Sequence, residues 1–144
     1  MKWYDINKID KDTYVIEENK HWHKFNIYYC IGDKYNLVID CGLGLYKVKK
    51  LLKEIDDKKI KLVITHMHWD HIGNINEFKE VYLSKRANYY FKNGINMSLE
   101  KIRKLLLKDL DKTLIPNDFN IKDYQIDKSD RGKEIKEKYI SEKE

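Results

Sequence analysis

The sequence predicts an α/β domain, a sheet layered with helices, and three observations carry that expectation. Three β-rich runs follow one another in the first forty positions, separated by polar turns. Two short continuous apolar runs, Leu62-Val63-Ile64 and Val81-Tyr82-Leu83, read as strands buried on both faces. Between the first group and the second lies a stretch whose apolar residues recur at helical spacing. Strand, helix, strand in that order gives a mixed sheet with flanking helices.

The first run is Thr13 to Glu17, the second Phe25 to Ile31 and the third Tyr35 to Asp40, and Gly32-Asp33 predicts a tight hairpin between the last two. Leu45, Val48, Leu51, Leu52 and Ile55 make one apolar face of a helix opened by the Gly42-Leu43-Gly44 loop. After the two apolar strands, Ser84 is a natural N-cap for a helix over Ala87 to Phe91 that stops near Asn93-Gly94. Ile95, Leu99, Ile102, Leu106 and Leu110 form the stripe of another amphipathic helix, with Lys101, Arg103, Lys104 and Lys108 on its wet sides. Pro116 falls in the following loop, and Ile121, Tyr124 and Ile126 suggest one more strand within Phe119 to Ile126. From Asp127 to Glu144 twelve of eighteen residues are charged, six of each sign, which predicts a solvated helix or a disordered tail. The domain therefore spans 1–126, with a charged tail over 127–144.

Composition narrows the function classes. A chain of 144 residues has room for one core, and 42% hydrophobic with 37% charged residues is too apolar for a disordered chain and too polar for a membrane one. No window approaches the roughly 18 apolar residues of a membrane span, and no signal-peptide core follows Met1-Lys2-Trp3-Tyr4-Asp5, so the expected location is cytoplasmic. Two cysteines, Cys30 and Cys41, are too few for a disulfide scaffold and read as buried thiols. The net charge of +5 is spread along the chain rather than clustered, which argues against a nucleic-acid interface.

The chemistry lies in the histidines. All five fall in two short segments, His21-Trp22-His23 and Thr65-His66-Met67-His68-Trp69-Asp70-His71. From composition alone, H-x-H-x-D-H arises by chance on the order of once in a thousand such chains. The longer segment begins at the carboxyl end of the strand Leu62-Val63-Ile64, where open α/β sheets place their ligands. Extended backbone there puts His66 and His68 on one face, so that two imidazoles converge on one ion. Asp70 and His71 add an oxygen and a third nitrogen as the chain turns. Imidazole with carboxylate suits zinc first, with iron or manganese as alternatives.

At this point the chain resembles the metallo-β-lactamase superfamily, whose T-H-x-H-x-D-H-x-G signature is matched by Thr65 through Gly73. Leu37-Val38-Ile39-Asp40-Cys41-Gly42-Leu43-Gly44 is similar to the family's strand ending in an aspartate and a glycine loop, and the likeness runs over about residues 13 to 126. The resemblance implies an αβ/βα sandwich, a zinc-dependent hydrolase of a small-molecule substrate, and one or two metal ions. His66 and His68 would hold the first, Asp70 and His71 the second. A hydroxide would attack an ester, thioester, amide or phosphodiester, with Asp70 orienting the water. Asp40 is expected either to hold a ligand imidazole in its tautomer or to cap the loop.

The family pattern continues with a later histidine in a G-H-T-P-G-like turn, a bridging aspartate and a final histidine, and no histidine follows His71 here. The expectation is a truncated domain carrying only the first half of the sandwich. His21 and His23, another i, i+2 pair, either complete the site, contact substrate or stay in an exposed loop. A half-sandwich also leaves an apolar sheet face for a second copy or a partner chain to cover. The alternative to a hydrolase is a catalytically incomplete fragment that binds metal or a partner.

Overall fold

Alternation in Phe25-Asn26-Ile27-Tyr28-Tyr29 decides which way the sheet faces, because Phe25, Ile27 and Tyr29 are buried while Asn26 and Tyr28 are exposed. The computed structural model describes residues 2–95 and 97–124 and the backbone of 136–139. Among these residues one seven-stranded sheet runs in chain order: β1 Asp5–Asp10, β2 Thr13–Glu18, β3 Phe25–Cys30, β4 Asn36–Ile39, β5 Ile60–Val63, β6 Glu80–Leu83 and β7 Lys136–Tyr139. β1 to β4 pair antiparallel and β4 to β7 pair parallel, so the sheet is mixed, as expected.

The register draws Tyr14, Tyr29, Val38, Leu62 and Val81 into one row across five strands, all but Tyr14 being buried. Three helices, α1 Lys49–Ile55, α2 Lys85–Asn93 and α3 Leu99–Leu107, contribute Leu52, Phe91, Ile102 and Leu106 to the core of which that row is part. Ser84 caps α2 by accepting from the Ala87 N–H (3.1 Å), and Ser98 caps α3 by accepting from Lys101 (3.2 Å). Gly94 ends α2 with φ +87°, a left-handed value that suits glycine.

Four expectations are adjusted. β1 was not foreseen, since Asp5-Ile6-Asn7-Lys8-Ile9-Asp10 is a polar, largely exposed edge strand in which charge takes the place of an apolar pattern. α1 starts at Lys49 rather than Leu45, because Glu77 accepts from the Val48 and Lys49 N–H groups (2.8 and 3.2 Å) and leaves Leu45 buried in the loop before it. The link between β3 and β4 is five residues long, with the Gly32 N–H donating to the Asn36 side chain (3.0 Å). Phe119 to Tyr124 is not a strand: a 3₁₀ turn covers Ile121–Asp123, and Tyr124 plugs into the core with its hydroxyl donating to the Leu43 carbonyl (2.7 Å). Gln125 and Ile126 lie outside the described residues. So does the expected tail at 127–144, apart from the backbone of Lys136–Tyr139 that pairs with β6.

Candidate metal centre

Parallel pairing of β4 and β5 brings their carboxyl ends side by side, and the two segments that leave those ends carry the polar cluster. After β4 the Asp40 N–H still donates to the Val63 carbonyl (2.8 Å), but its backbone turns left-handed at φ 59°. Aspartate tolerates that region better than most residues. The following loop is stitched to the histidine segment: the Cys41 N–H donates to the His71 carbonyl and the Gly73 N–H to the Gly42 carbonyl, each at 2.8 Å. Gly73 has no room for a side chain. A Cβ there would lie 2.1 Å from the Leu43 carbonyl carbon and 2.4 Å from the Gly44 nitrogen.

Asp40 is the node of the cluster. Its Oδ1 accepts from the Thr65 N–H (2.9 Å), and its Oδ2 accepts from the Thr65 hydroxyl and from His71 Nδ1, both at 2.7 Å. Asp40 thus ties the Thr65 segment to the end of β4 and engages the His71 imidazole through Nδ1. That donation occupies Nδ1, so any lone pair the His71 ring carries is on Nε2. Because the Thr65 proton is spent on Asp40, Thr65 Oγ1 accepts from His66 Nδ1 (3.1 Å), so any lone pair the His66 ring carries is on Nε2 as well. Thr65 thus passes the orientation from Asp40 on to His66. Burial, with His71 and His68 beside it, lowers the His66 pKa below its ordinary 6.5 and so favours the neutral ring.

His66 lies against both other rings of the motif, with centroids 4.3 Å from His68 and 3.9 Å from His71. Asp70 is buried, with Oδ2 accepting from His23 Nε2 (2.8 Å) and standing 3.6 Å from His71 Nε2. Phe25 and His71 pack as a T-shaped pair (4.7 Å between ring centres) and His23 packs tilted against Trp69 (5.3 Å). The structure thus draws His66, His68, Asp70, His71, Asp40 and His23 into one cluster. His21 does not join them. Its Nδ1 accepts from the His23 N–H (3.0 Å), so its Nε2 donates to the Leu106 carbonyl (2.7 Å), and both nitrogens are taken. Rather than an exposed loop residue, it is a buried pin between the β2–β3 loop and α3, and burial lowers its pKa.

The donor types fit a divalent ion: imidazoles whose Nδ1 atoms are engaged and whose Nε2 atoms are not, and a carboxylate oxygen beside one of them. Among the described residues, no three His, Cys, Asp or Glu side chains already stand in a coordination arrangement, so the fit is one of chemistry and proximity. Beneath the loop lies a carboxyl group that nothing in the motif announces. Glu18, fully buried at the end of β2, accepts from the Leu43 N–H (3.0 Å) and from Trp3 Nε1 (3.1 Å). Burial, with the Asp70 charge adding to it, pushes its pKa up from 4.5 to about 7. A single Glu beside Glu17 carried no signal in the sequence. Thr65 was visible only as a letter of the motif.

Residues 25–85, which hold β3 to β6 and every member of the cluster except His23, match the family model described as the metallo-beta-lactamase superfamily. Over that stretch the chain is similar to that superfamily. An acyl-coenzyme A thioesterase, MBLAC2, from Gallus gallus is 27% identical over 92 residues, covering 56% of this chain and 33% of its own. The probable metallo-hydrolase YqgX from Bacillus subtilis (strain 168) is 34% identical over 55 residues, covering 38% of this chain and 26% of its own. Among solved structures, a metallo-β-lactamase from Pontibacter korlensis superposes with a TM-score of 0.56 at 19% identity, over 63% of this chain and 48% of that one. The DIM-1 metallo-β-lactamase gives 0.52 at 14%, over 64% and 48%. The chain spans about a third of the length of the first curated relative it matches and about half of these structures, and its fold is a partial metallo-β-lactamase fold. Members of the superfamily usually bind divalent metals such as zinc.

Proposed function

We propose that this chain is a metal-dependent hydrolase acting on a small-molecule ester, thioester, amide or phosphodiester. His66, His68, Asp70 and His71 are the proposed ligands. The observation that carries the reading is the Asp40 node, which by two hydrogen bonds and one relay through Thr65 engages Nδ1 of His71 and of His66 and so reserves both Nε2 atoms in a cluster with Asp70. When bound, zinc (one or two ions, with iron or manganese as alternatives) polarises a substrate oxygen and acidifies water. Asp70 uses Oδ2 on His23, and its Oδ1 has no hydrogen-bond partner among the described residues, so Oδ1 is the acceptor for a proton of the attacking water. His23 holds that carboxylate in place, Asp40 and Thr65 hold the imidazoles, and Trp69 and Phe25 pack against the rings.

The acyl-coenzyme A thioesterase and metallo-hydrolase relatives support hydrolysis. A second reading, a metal- or partner-binding module without turnover, is favoured by the span of the match, a third or less of those relatives. The register lines Tyr28, Ile39, Val63 and Tyr82 up on one sheet face with Tyr28 exposed, which supports a second copy or a partner chain lying over it. Free Cys30 and Cys41 fit a cytoplasmic setting, and among the described residues no helix is long and apolar enough to cross a membrane.

Metal analysis after equilibration with zinc, with turnover of a generic ester, tests the proposal. Near two ions per chain with hydrolysis supports the enzyme; at most one weakly held ion without turnover supports the module. His68→Ala is expected to lower the metal content, and an unchanged content would remove His68 from the ligand set.

A further inference from the structure

Two cavities open on either side of His68, and their linings differ in kind. One, of about 370 Å³, is bordered by Thr65, His66, His68, Ser84, Arg86 and Tyr90. The other, of about 280 Å³, is bordered by His23, His68, Trp69, Asp70, Ile95 and Met97. Met67 and His68 line both, so the cavities meet at the proposed reacting centre.

The first cavity suits an anion. No Asp or Glu among the described residues lines it, and Arg86, exposed in the first turn of α2, forms no ion pair among them. A guanidinium presents a fork of donors that matches phosphate or carboxylate. Ser84 Oγ already accepts from the Ala87 N–H, so its hydroxyl proton is free to donate, and the N-terminal end of α2 adds partial positive charge at the same wall. Tyr90, one turn beyond Arg86 on the same helix, contributes a phenol. The second cavity suits an apolar group. Its wall holds Trp69 and Met67, both nearly buried, with half-buried Ile95 and Met97, and methionine adapts to chains of different shape.

The geometry points to a two-part substrate: an ester or thioester whose apolar group lies against Trp69 and Met97 and whose phosphate- or carboxylate-bearing group lies against Arg86. This rests on the hydrolase reading for its scissile bond, but the two subsites are testable without turnover. The probe is octyl phosphate, with inorganic phosphate and octanol as its separate halves. Binding is measured calorimetrically on the full chain in excess chelator, so that no metal contributes to anion binding.

Octyl phosphate is expected to bind at least tenfold more tightly than either half. Arg86→Ala is expected to weaken octyl phosphate about tenfold, leaving octanol unchanged, with Arg86→Lys intermediate. Met97→Glu is expected to weaken octyl phosphate and octanol but not inorganic phosphate. Arg86 is exposed, and an unchanged melting temperature of its variants separates lost recognition from lost fold. Equal binding of octyl phosphate by wild type and Arg86→Ala overturns the anion subsite, and equal binding by wild type and Met97→Glu overturns the apolar one. Subsite binding without hydrolysis of any ester refutes the hydrolase reading and leaves the subsites standing. Hydrolysis of a small neutral ester without octyl phosphate binding does the reverse.

Discussion

Glu18 is where a pH change should be felt first in the fold. Its carboxyl is fully buried, with both oxygens accepting hydrogen bonds from groups that fix the Leu43 loop and Trp3. The folded-state pKa is raised from 4.5 to about 7, so the folded chain holds this proton more tightly than the unfolded chain does. Stability from this group is therefore complete below about pH 4.5 and is lost progressively as pH rises toward 7, after which the loss is constant. At about 1.4 kcal/mol per pH unit, a shift of that size corresponds to about 3 kcal/mol, a large part of the stability of a small domain. Glu18→Gln removes the titration while keeping the shape. Its amide can satisfy only one of the two N–H groups, so the variant should be less stable than wild type at pH 4.5, by about 1–3 kcal/mol. Urea unfolding from pH 4.5 to 8 should show the difference move by about 3 kcal/mol in the variant's favour, which closes the gap or reverses it as wild type loses its advantage. A gap that stays constant across that range would refute the assignment of the titration to Glu18.

Gly73→Ala drives a methyl group into the Leu43 carbonyl and the Gly44 nitrogen, and a cost of about 1–3 kcal/mol should lower the melting temperature by several degrees; an unchanged melt would show that the loop can yield. His21→Ala breaks the pin between the β2–β3 loop and Leu106 and should cost about 2–4 kcal/mol in urea unfolding, with zinc content unchanged in the folded fraction. Asp40→Asn keeps an acceptor for Thr65 and tolerates φ 59°, but presents an N–H to His71 and reverses its tautomer; zinc affinity should fall about 10–100-fold in a competition titration while the melting temperature moves much less.

The strands from Thr13 to Leu83 were legible because each is governed by its own side chains, whether alternating as in Phe25-Asn26-Ile27 or continuously apolar as in Leu62-Val63. β1 was not, since an edge strand needs no apolar signature. The histidines show the limit more sharply. His21-x-His23 and His66-x-His68 have the same spacing, yet His21 is turned away to a carbonyl 85 positions along the chain, and only tertiary packing decides that. Tyr124 plugs the core where the pattern predicts a strand, because an isolated aromatic carries no information about whether it pairs in a sheet or fills a core. Thr65 was present in the motif, but its role depends on a hydroxyl proton committed to Asp40, a fact of geometry.

The centre also depends on elements far from its chemistry. Asp40 reaches Thr65 and His71 because β4 and β5 are parallel and end together, Ile39 opposite Val63. A parallel pair requires a crossover between its strands, and here α1 supplies it, held to the core by Leu52. Had the strands been joined by a hairpin, their carboxyl ends would lie at opposite edges and the aspartate could not orient the imidazoles. The left-handed turn at Asp40 then completes what the pairing begins, since it keeps the N–H in the ladder with Val63 while its carboxylate takes the Thr65 N–H, the Thr65 hydroxyl and His71 at once. The T-H-x-H-x-D-H segment therefore acquires its imidazole tautomers from a residue 25 positions earlier in the chain, and the packing of α1 is as much a condition of the site as the histidines are.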